Sequence, residues 1–327
     1  MKGKEKVIVI TGASSGIGRA TALEFAKQGQ TVILAARKKE ALDELAQECK
    51  EAGGEAMVYA LDVSNQDQVK DLARKAYETY GRIDVWVNNA AVAMMGKFDD
   101  SPIEDIERVI KVNLFGYIYG AKAVIKYFRE QGHGVLINLS SIVGMTGQAY
   151  SFAYTTSKAG IRGMSLALQH ELSDEKNIHV CSVLPATIDT PLFRQLSNYM
   201  GREVKPMNPV LEAKEVAETI VKLAEKPQPE VIIGGMGVMN GIVKAFAPET
   251  FAKLYRKGVY KKHFSQESSE PSKGNLYEPN PNFKSVSGGY ENTRGMRTPV
   301  KNLALAGTAV LATAAGVAFL AGKKGKK

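Results

Sequence analysis

The 327-residue chain contains only two cysteines, one tryptophan and four histidines. Cys49 and Cys181 fall in separate expected elements, which excludes a disulfide framework and a CxxC metal site. Cys181 lies in an apolar run and is expected to pack as a small hydrophobe. The histidines are scattered, so no metal centre assembles from their spacing. The opening stretch "MKGKEKVIVITG" offers four apolar residues before a glycine turn, too few for a signal-peptide core. A cytoplasmic main body is expected. Nucleic-acid motifs are also missing, although the formal net charge is +9. That charge is local. Lys253, Arg256, Lys257, Lys261, Lys262, Lys301, Lys323, Lys324, Lys326 and Lys327 account for it, and the rest of the chain is near neutral. Basic clusters of this kind suit an anionic membrane surface, and no nucleic-acid partner is expected.

With 44% hydrophobic and 24% charged residues, the composition is that of a globular chain with a sizeable core. Apolar, β-branched runs at 7–10, 31–36, 56–61, 84–89, 134–140, 179–185 and 230–235 read as strands. They are apolar throughout, as parallel strands covered on both faces must be. Helical patterns such as 17–28, 39–52 and 65–79 lie between them, and Ser101-Pro102 marks a further helix start. The alternation predicts an α/β fold, a doubly wound Rossmann-like parallel sheet of about seven strands flanked by helices.

The texture changes after residue 264. Half of residues 265–300 are Ser, Gly, Pro or Asn, which predicts a disordered linker. "LALAGTAVLATAAGVAFLAG", residues 303–322, carries no charge and is long enough to cross a hydrocarbon core of ~30 Å. The expected organisation is a catalytic or binding domain over 1–264, a linker over 265–300, and a C-terminal transmembrane anchor with a basic tail over 301–327. An Ala/Gly-rich helix packed on the protein is the competing reading of 303–322.

Chemistry enters with "VIVITGASSGIGRA". Gly12, Gly16 and Gly18 sit between a strand and a helix start. Glycines there let the backbone approach a pyrophosphate, and a helix N-terminus favours its charge. In dinucleotide folds an acid at the end of the second strand holds the ribose hydroxyls, and an arginine suits a 2′-phosphate. Here the strand ends Ala36-Arg37, so NADP(H) is expected over NAD(H). "YTTSK" puts Tyr154 and Lys158 four apart, on one helix face. An ammonium beside a phenol favours the phenolate, so Lys158 is expected to lower the Tyr154 pKa.

TGASSGIG at 11–18, NNAA at 88–91, Asn113, "NLSS" ending at Ser141, and Tyr154-x-x-x-Lys158 occur in the order and spacing of the short-chain dehydrogenase/reductase family. The chain resembles that family over roughly residues 4–240. The resemblance implies an oxidoreductase interconverting a carbonyl and an alcohol. Its catalytic set would be Asn113, Ser141, Tyr154 and Lys158. Tyr154 would be the proton donor or base. Lys158 would lower the tyrosine pKa and hold the nicotinamide ribose. Ser141 would hydrogen-bond the substrate oxygen, and Asn113, in a bend of a long helix, would hold a water. The cofactor would contact Gly12, Ser14, Ser15, Gly16, Ile17, Gly18, Arg37, Asp62, Asn89, Ala90, Tyr154, Lys158, Pro185, Ile188 and Thr190, with Asp62 accepting from the adenine amino group. Ala91 and Ala186 depart from the family pattern, each adding a methyl where it has glycine.

Family members pair through two long helices, here about 103–130 and 151–175, so a dimer or tetramer is expected. Phe193, Leu196, Tyr199, Met200, Met94, Met95 and Met145 are candidates for an apolar substrate pocket. With "ETFAKLYRKGVYKKHF" (249–264) read as an amphipathic surface helix, the expected substrate is apolar or lipid-like. The alternative is an inactive NADP(H)-binding scaffold or sensor at a membrane, which would have no need of all four catalytic residues.

Overall fold

The computed structural model of the chain describes residues 5–234 and 248–290. Seven parallel strands form the central sheet: β1 (Val7–Thr11), β2 (Thr31–Ala36), β3 (Glu55–Ala60), β4 (Val85–Asn88), β5 (Gly134–Leu139), β6 (Ile178–Pro185) and β7 (Glu230–Ile233). Their order is β3-β2-β1-β4-β5-β6-β7. The expected strands are all present, within one or two residues at each end. The winding reverses between β1 and β4, and open α/β sheets bind ligands in the crevice at the carboxyl ends of such a pair.

The helices are α1 (Gly16–Ala26), α2 (Lys39–Glu51), α3 (Gln66–Tyr80), α4 (Ile103–Ile110), α5 (Gly116–Gln131), α6 (Phe152–Glu171), α7 (Ala213–Glu225) and α8 (Pro248–His263). Alternate residues of a strand face opposite sides of the sheet. Ile8 and Ile10 of β1 pack with α1, α2 and α7 in one core cluster. Val7 and Val9 pack with α3, α5 and Trp86 in another. Both faces are dry, which explains the uninterrupted apolar runs. Local caps set the element ends. Asn65 accepts from the amides of Asp67 and Gln68 at the start of α3, and Gly81 closes it with a φ of 69°.

The long helix expected over 103–130 is not continuous α-helix. A π-helical turn, Lys111–Phe115, separates α4 from α5 and produces the bend expected at Asn113.

The linker expected from 265 is corrected by the structure as far as residue 290. Phe264–Ser268 pairs antiparallel with Arg202–Val204, and residues 272–290 run back along the carboxyl edge of the sheet. Leu276 is fully buried. The glycines that suggested disorder serve close packing. A Cβ on Gly274 would strike the Gln195 carbonyl oxygen, and one on Gly288 would strike that of Thr190. Residues 291–327, which include the anchor expected at 303–322, lie outside the described residues. Among the described residues no helix is long and apolar enough to cross a membrane.

Candidate active site

The glycine turn follows β1 directly. Gly12 has a φ of +67°, and a Cβ there would lie 2.6 Å from Ala90 Cα. A Cβ on Gly18 would strike the Gly12 carbonyl oxygen and lie 2.6 Å from Asn89 Nδ2. These glycines therefore let β1, α1 and the β4 end close on one another. Asn89 locks the turn, its Nδ2 donating to the carbonyls of Thr11 (2.9 Å) and Gly12 (3.1 Å). Gly16 has a φ of +55° and faces the Thr190 side chain. Ser15 precedes α1 without a side-chain cap bond, so the positive end of the helix is left to other partners.

A cavity of about 270 Å³ opens above this turn. It brings together Gly12, Ser14, Ser15, Gly16, Ile17, Arg37, Asp62, Asn89, Ala90, Ser141, Tyr154, Lys158, Pro185, Ile188 and Thr190. Of the residues expected at the site, Gly18 and Asn113 stand behind its wall. Gly18 acts through the Gly12 contact.

Asn113 is buried and binds backbone. Its Oδ1 accepts from Val92 N (2.9 Å), and its Nδ2 donates to Val92 O (2.9 Å) and Ser157 Oγ (3.1 Å). Both ends of the amide are thus committed to holding the β4 extension against α6. Ser140 is also committed, its Oγ donating to Lys158 O at 2.8 Å. Ser141 Oγ has only a 3.4 Å bond to Pro185 O and a 3.3 Å bond from Val143 N. Ser141 is therefore the serine of the pair with hydrogen-bonding capacity to spare.

Lys158 is 2% exposed. Its Nζ donates to Leu139 O at 2.6 Å and to Tyr117 Oη at 3.5 Å, and lies 5.5 Å from the Tyr154 ring centroid. Burial pushes the Lys158 ammonium down to about 7 and the Tyr154 hydroxyl well above its usual value. Withdrawal from water penalises the charged form of each group. Tyr154 is accordingly held as a neutral phenol, able to give a proton. Tyr117 was not foreseen. It sits four residues after Asn113, so the π-helical turn aims it at Lys158.

The adenosine end differs from expectation. Asp62 forms an ion pair with Arg108 at 2.5 Å and accepts from Ser64 N at 2.9 Å. Arg37 donates to three backbone carbonyls, of Asn275 (2.8 Å), Leu276 (3.2 Å) and Tyr277 (2.8 Å). Lys38 donates to Pro281 O at 3.0 Å.

The departure at Ala186 is accommodated. A Cβ at residue 234 would lie 2.7 Å from the Ala186 methyl, and residue 234 is glycine. Ala91 faces the cavity directly.

On the substrate side the cavity is walled by Met95, Phe193, Leu196, Met207, Tyr255 and His263. Met94 packs instead in the core beside Trp86, and Tyr199 turns its hydroxyl to Asp105. Met200 packs in the cluster that holds Tyr154 but does not line the cavity, and neither does Met145. Met207, Tyr255 and His263 come from distant segments and carried no local motif. His263 is neutral. Burial lowers its pKa to about 4, and its Nδ1 donates to the Lys205 carbonyl.

The family model for short chain dehydrogenase matches residues 6–200. The chain is a short-chain dehydrogenase/reductase. It is 35% identical over 271 residues to the uncharacterized oxidoreductase YxnA of Bacillus subtilis, covering 82% of this chain and 76% of that protein. It is 38% identical to the 3-oxoacyl-[acyl-carrier-protein] reductase FabG of Thermotoga maritima, over 74% of this chain and all of that one. A bovine 3-ketodihydrosphingosine reductase is 33% identical, over 74% and 76% of the two chains. Among solved structures, an alcohol dehydrogenase from Thermococcus sibiricus complexed with 5-hydroxy-NADP superposes with a TM-score of 0.60 at 29% identity. That match covers 70% of this chain and 96% of the other. The family is one of oxidoreductases that use a nicotinamide dinucleotide. The cradle fits such a group: a Cβ at Gly12 or Gly18 would meet the wall of the turn, and the helix N-terminus lies beside it.

Proposed function

We propose that the protein is an NADP(H)-dependent reductase of ketones or aldehydes borne on an apolar, lipid-like body. The observation that carries this reading is one continuous cavity. It joins the glycine turn to Ser141, Tyr154 and Lys158, and ends in a wall of Met95, Phe193, Leu196, Met207 and Tyr255. Two relatives are named as reductases of a 3-oxo or 3-keto compound. Arg37 and Lys38 line the cavity with no carboxylate within ion-pair distance among the described residues, which supports a phosphate ligand.

When bound, the nicotinamide supplies the hydride. Ser141 Oγ donates to the carbonyl oxygen, positioning it and stabilising the charge that develops there. Tyr154 gives that oxygen a proton. Lys158 then faces a phenolate rather than a phenol, and its ammonium is stabilised by the new charge. Leu139 O and Tyr117 Oη fix the position of Nζ throughout. Asn113 acts through Val92 and Ser157 as a positioning residue. Phe115 (44% exposed) and Leu166 (38%) are exposed apolar side chains on the two stretches expected to pair, which supports a homo-oligomer. The uncharged run at 303–322 and its flanking lysines support membrane attachment, and fractionation of the full chain without detergent tests it.

The deciding experiment is NADPH oxidation by the full chain against a panel of long-chain 3-oxo compounds, apolar ketones and aldehydes, beside Tyr154→Phe. Turnover with one class, lost by at least 1000-fold in the variant, is expected. Equal turnover by the Tyr154→Phe protein would overturn the assignment of the proton donor. Tight NADPH binding with no turnover on any compound would favour a nucleotide-bound sensor.

A further inference from the structure

The segment after the catalytic domain's last helix crosses the full length of the cofactor cleft. It is tied down at both ends and in the middle. At the first end, Asn275 N donates to Gln195 O (2.8 Å), and Arg37 and Arg108 donate to the Asn275, Leu276 and Tyr277 carbonyls. Tyr277 donates to Asp105 Oδ1 at 2.8 Å, while Tyr199 donates to the other oxygen of the same carboxylate. In the middle, Lys38 holds Pro281 O, Lys284 pairs with Glu44 at 2.7 Å, and Gly16 N donates to Ser285 O at 2.9 Å. At the far end, Asp189 accepts from Ser287 Oγ (2.6 Å), Gly288 N (2.9 Å) and Tyr290 N (3.1 Å).

The segment covers the cleft without filling it. Asn275, Pro279, Asn280, Phe283 and Lys284 form one wall of the cavity whose opposite wall is the glycine turn and the Tyr154 site. The hydrogen-bond partners it offers to Arg37 and Lys38 are neutral carbonyls, which fix these cations in place without a close ion pair, while the Asp62 and Glu278 carboxylates act on Arg37 from farther off. Asn275 adds a third feature. It is 7% exposed, lines the cavity, and its Oδ1 is buried without a hydrogen-bond partner. A buried acceptor left open in this way is costly unless a ligand donor reaches it.

We propose that residues 275–290 are a constituent wall of the nucleotide site. In this arrangement the segment roofs the bound dinucleotide, presents Arg37 and Lys38 to a phosphate on its adenosine ribose, offers Asn275 Oδ1 to one of its donors, and is latched shut by Asp189. The specificity clause rests on the NADP(H) reading above; the roof itself does not.

Gly288→Ala tests it in the full chain. The added methyl would strike the Thr190 carbonyl oxygen and lift the latch; because Thr190 also lines the cavity beside Gly16, Ser287→Ala, which does not press on Thr190, is the second variant. NADPH release, followed by stopped-flow fluorescence, is expected to accelerate by about tenfold or more, with a matching rise in Kd. Ser287→Ala, which removes the Oγ bond to Asp189 and the bond that Oγ accepts from Gly289 N, is expected to show the same change at about threefold. Unchanged or slower release in both variants, or tighter NADPH binding, would overturn the proposal and make the segment a competitor of the nucleotide. A native protein that binds NADH as tightly as NADPH would refute the NADP(H) reading alone. The release rates of either nucleotide would still decide the roof.

Discussion

Leu139 O and Lys158 Nζ lie 2.6 Å apart across the end of β5, and this bond holds an ammonium where almost no water reaches it. The lysine titrates near 7 because burial penalises its charged form. Below that pH it is an ammonium and above it a neutral amine. For carbonyl reduction the charged form is the useful one, since it stabilises the phenolate left on Tyr154. With NADPH as the varied substrate, kcat/KM reports groups of the free enzyme. It should fall as pH rises through about 7. Lys158→Met should be slow at every pH and lose that limb. A profile flat from pH 6 to 9 in the native protein would contradict the role.

In the proposed arrangement Arg37 would serve both the ligand and the roof. Arg37→Ala removes a cation from the cavity and leaves the carbonyls of residues 275–277 without their donor. Charge-assisted hydrogen bonds contribute about 1.5–3 kcal/mol, so NADPH affinity should drop by roughly 10–100-fold. NADH affinity should change far less. Titration calorimetry with both nucleotides measures the difference, and equal losses would remove the case for phosphate recognition.

Gly18 is required for close approach rather than for flexibility. In Gly18→Ala the methyl meets the Gly12 carbonyl oxygen and the Asn89 amide, neither of which can retreat. Overpacking of this kind costs about 1–3 kcal/mol. Tm should fall by roughly 3–10 °C and nucleotide affinity should fall with it. An unaltered melting curve would show that the turn can spread.

Asn113→Ala deletes three hydrogen bonds and orphans both backbone groups of Val92. The expected loss is about 2–4 kcal/mol in chemical denaturation. Because Asn113 positions rather than reacts, kcat should fall while the pH limb set by Lys158 stays in place. A displaced limb would mean that Asn113 touches the proton path directly.

The sheet was legible because its inner strands are buried on both faces and therefore apolar throughout, and the half-exposed edge strands β3 and β7 keep enough of the same apolar pattern. The glycine turn and the Tyr154–Lys158 pair were legible because their spacing within the chain already sets their geometry. Three things were not. Tyr117 and His263 reach the site from segments whose local sequence carries no signal for it. The direction of the Tyr154 pKa depends on how much water the finished fold excludes, and no pattern of letters records that. Residues 265–290 looked like a linker because composition cannot separate a disordered chain from one that lies flat on a surface. Small residues serve both, and here Gly274 and Gly288 serve contact.

The roof lies C-terminal to all seven strands of the sheet. A chain made from its N-terminus therefore completes the cleft before the segment that covers it has been synthesised. The nascent domain presents an open groove, and a nucleotide that enters then is enclosed as residues 275–290 arrive. In the proposed arrangement the finished enzyme must pass every nucleotide it takes up or releases by residues 275–290, whereas the nascent one need not.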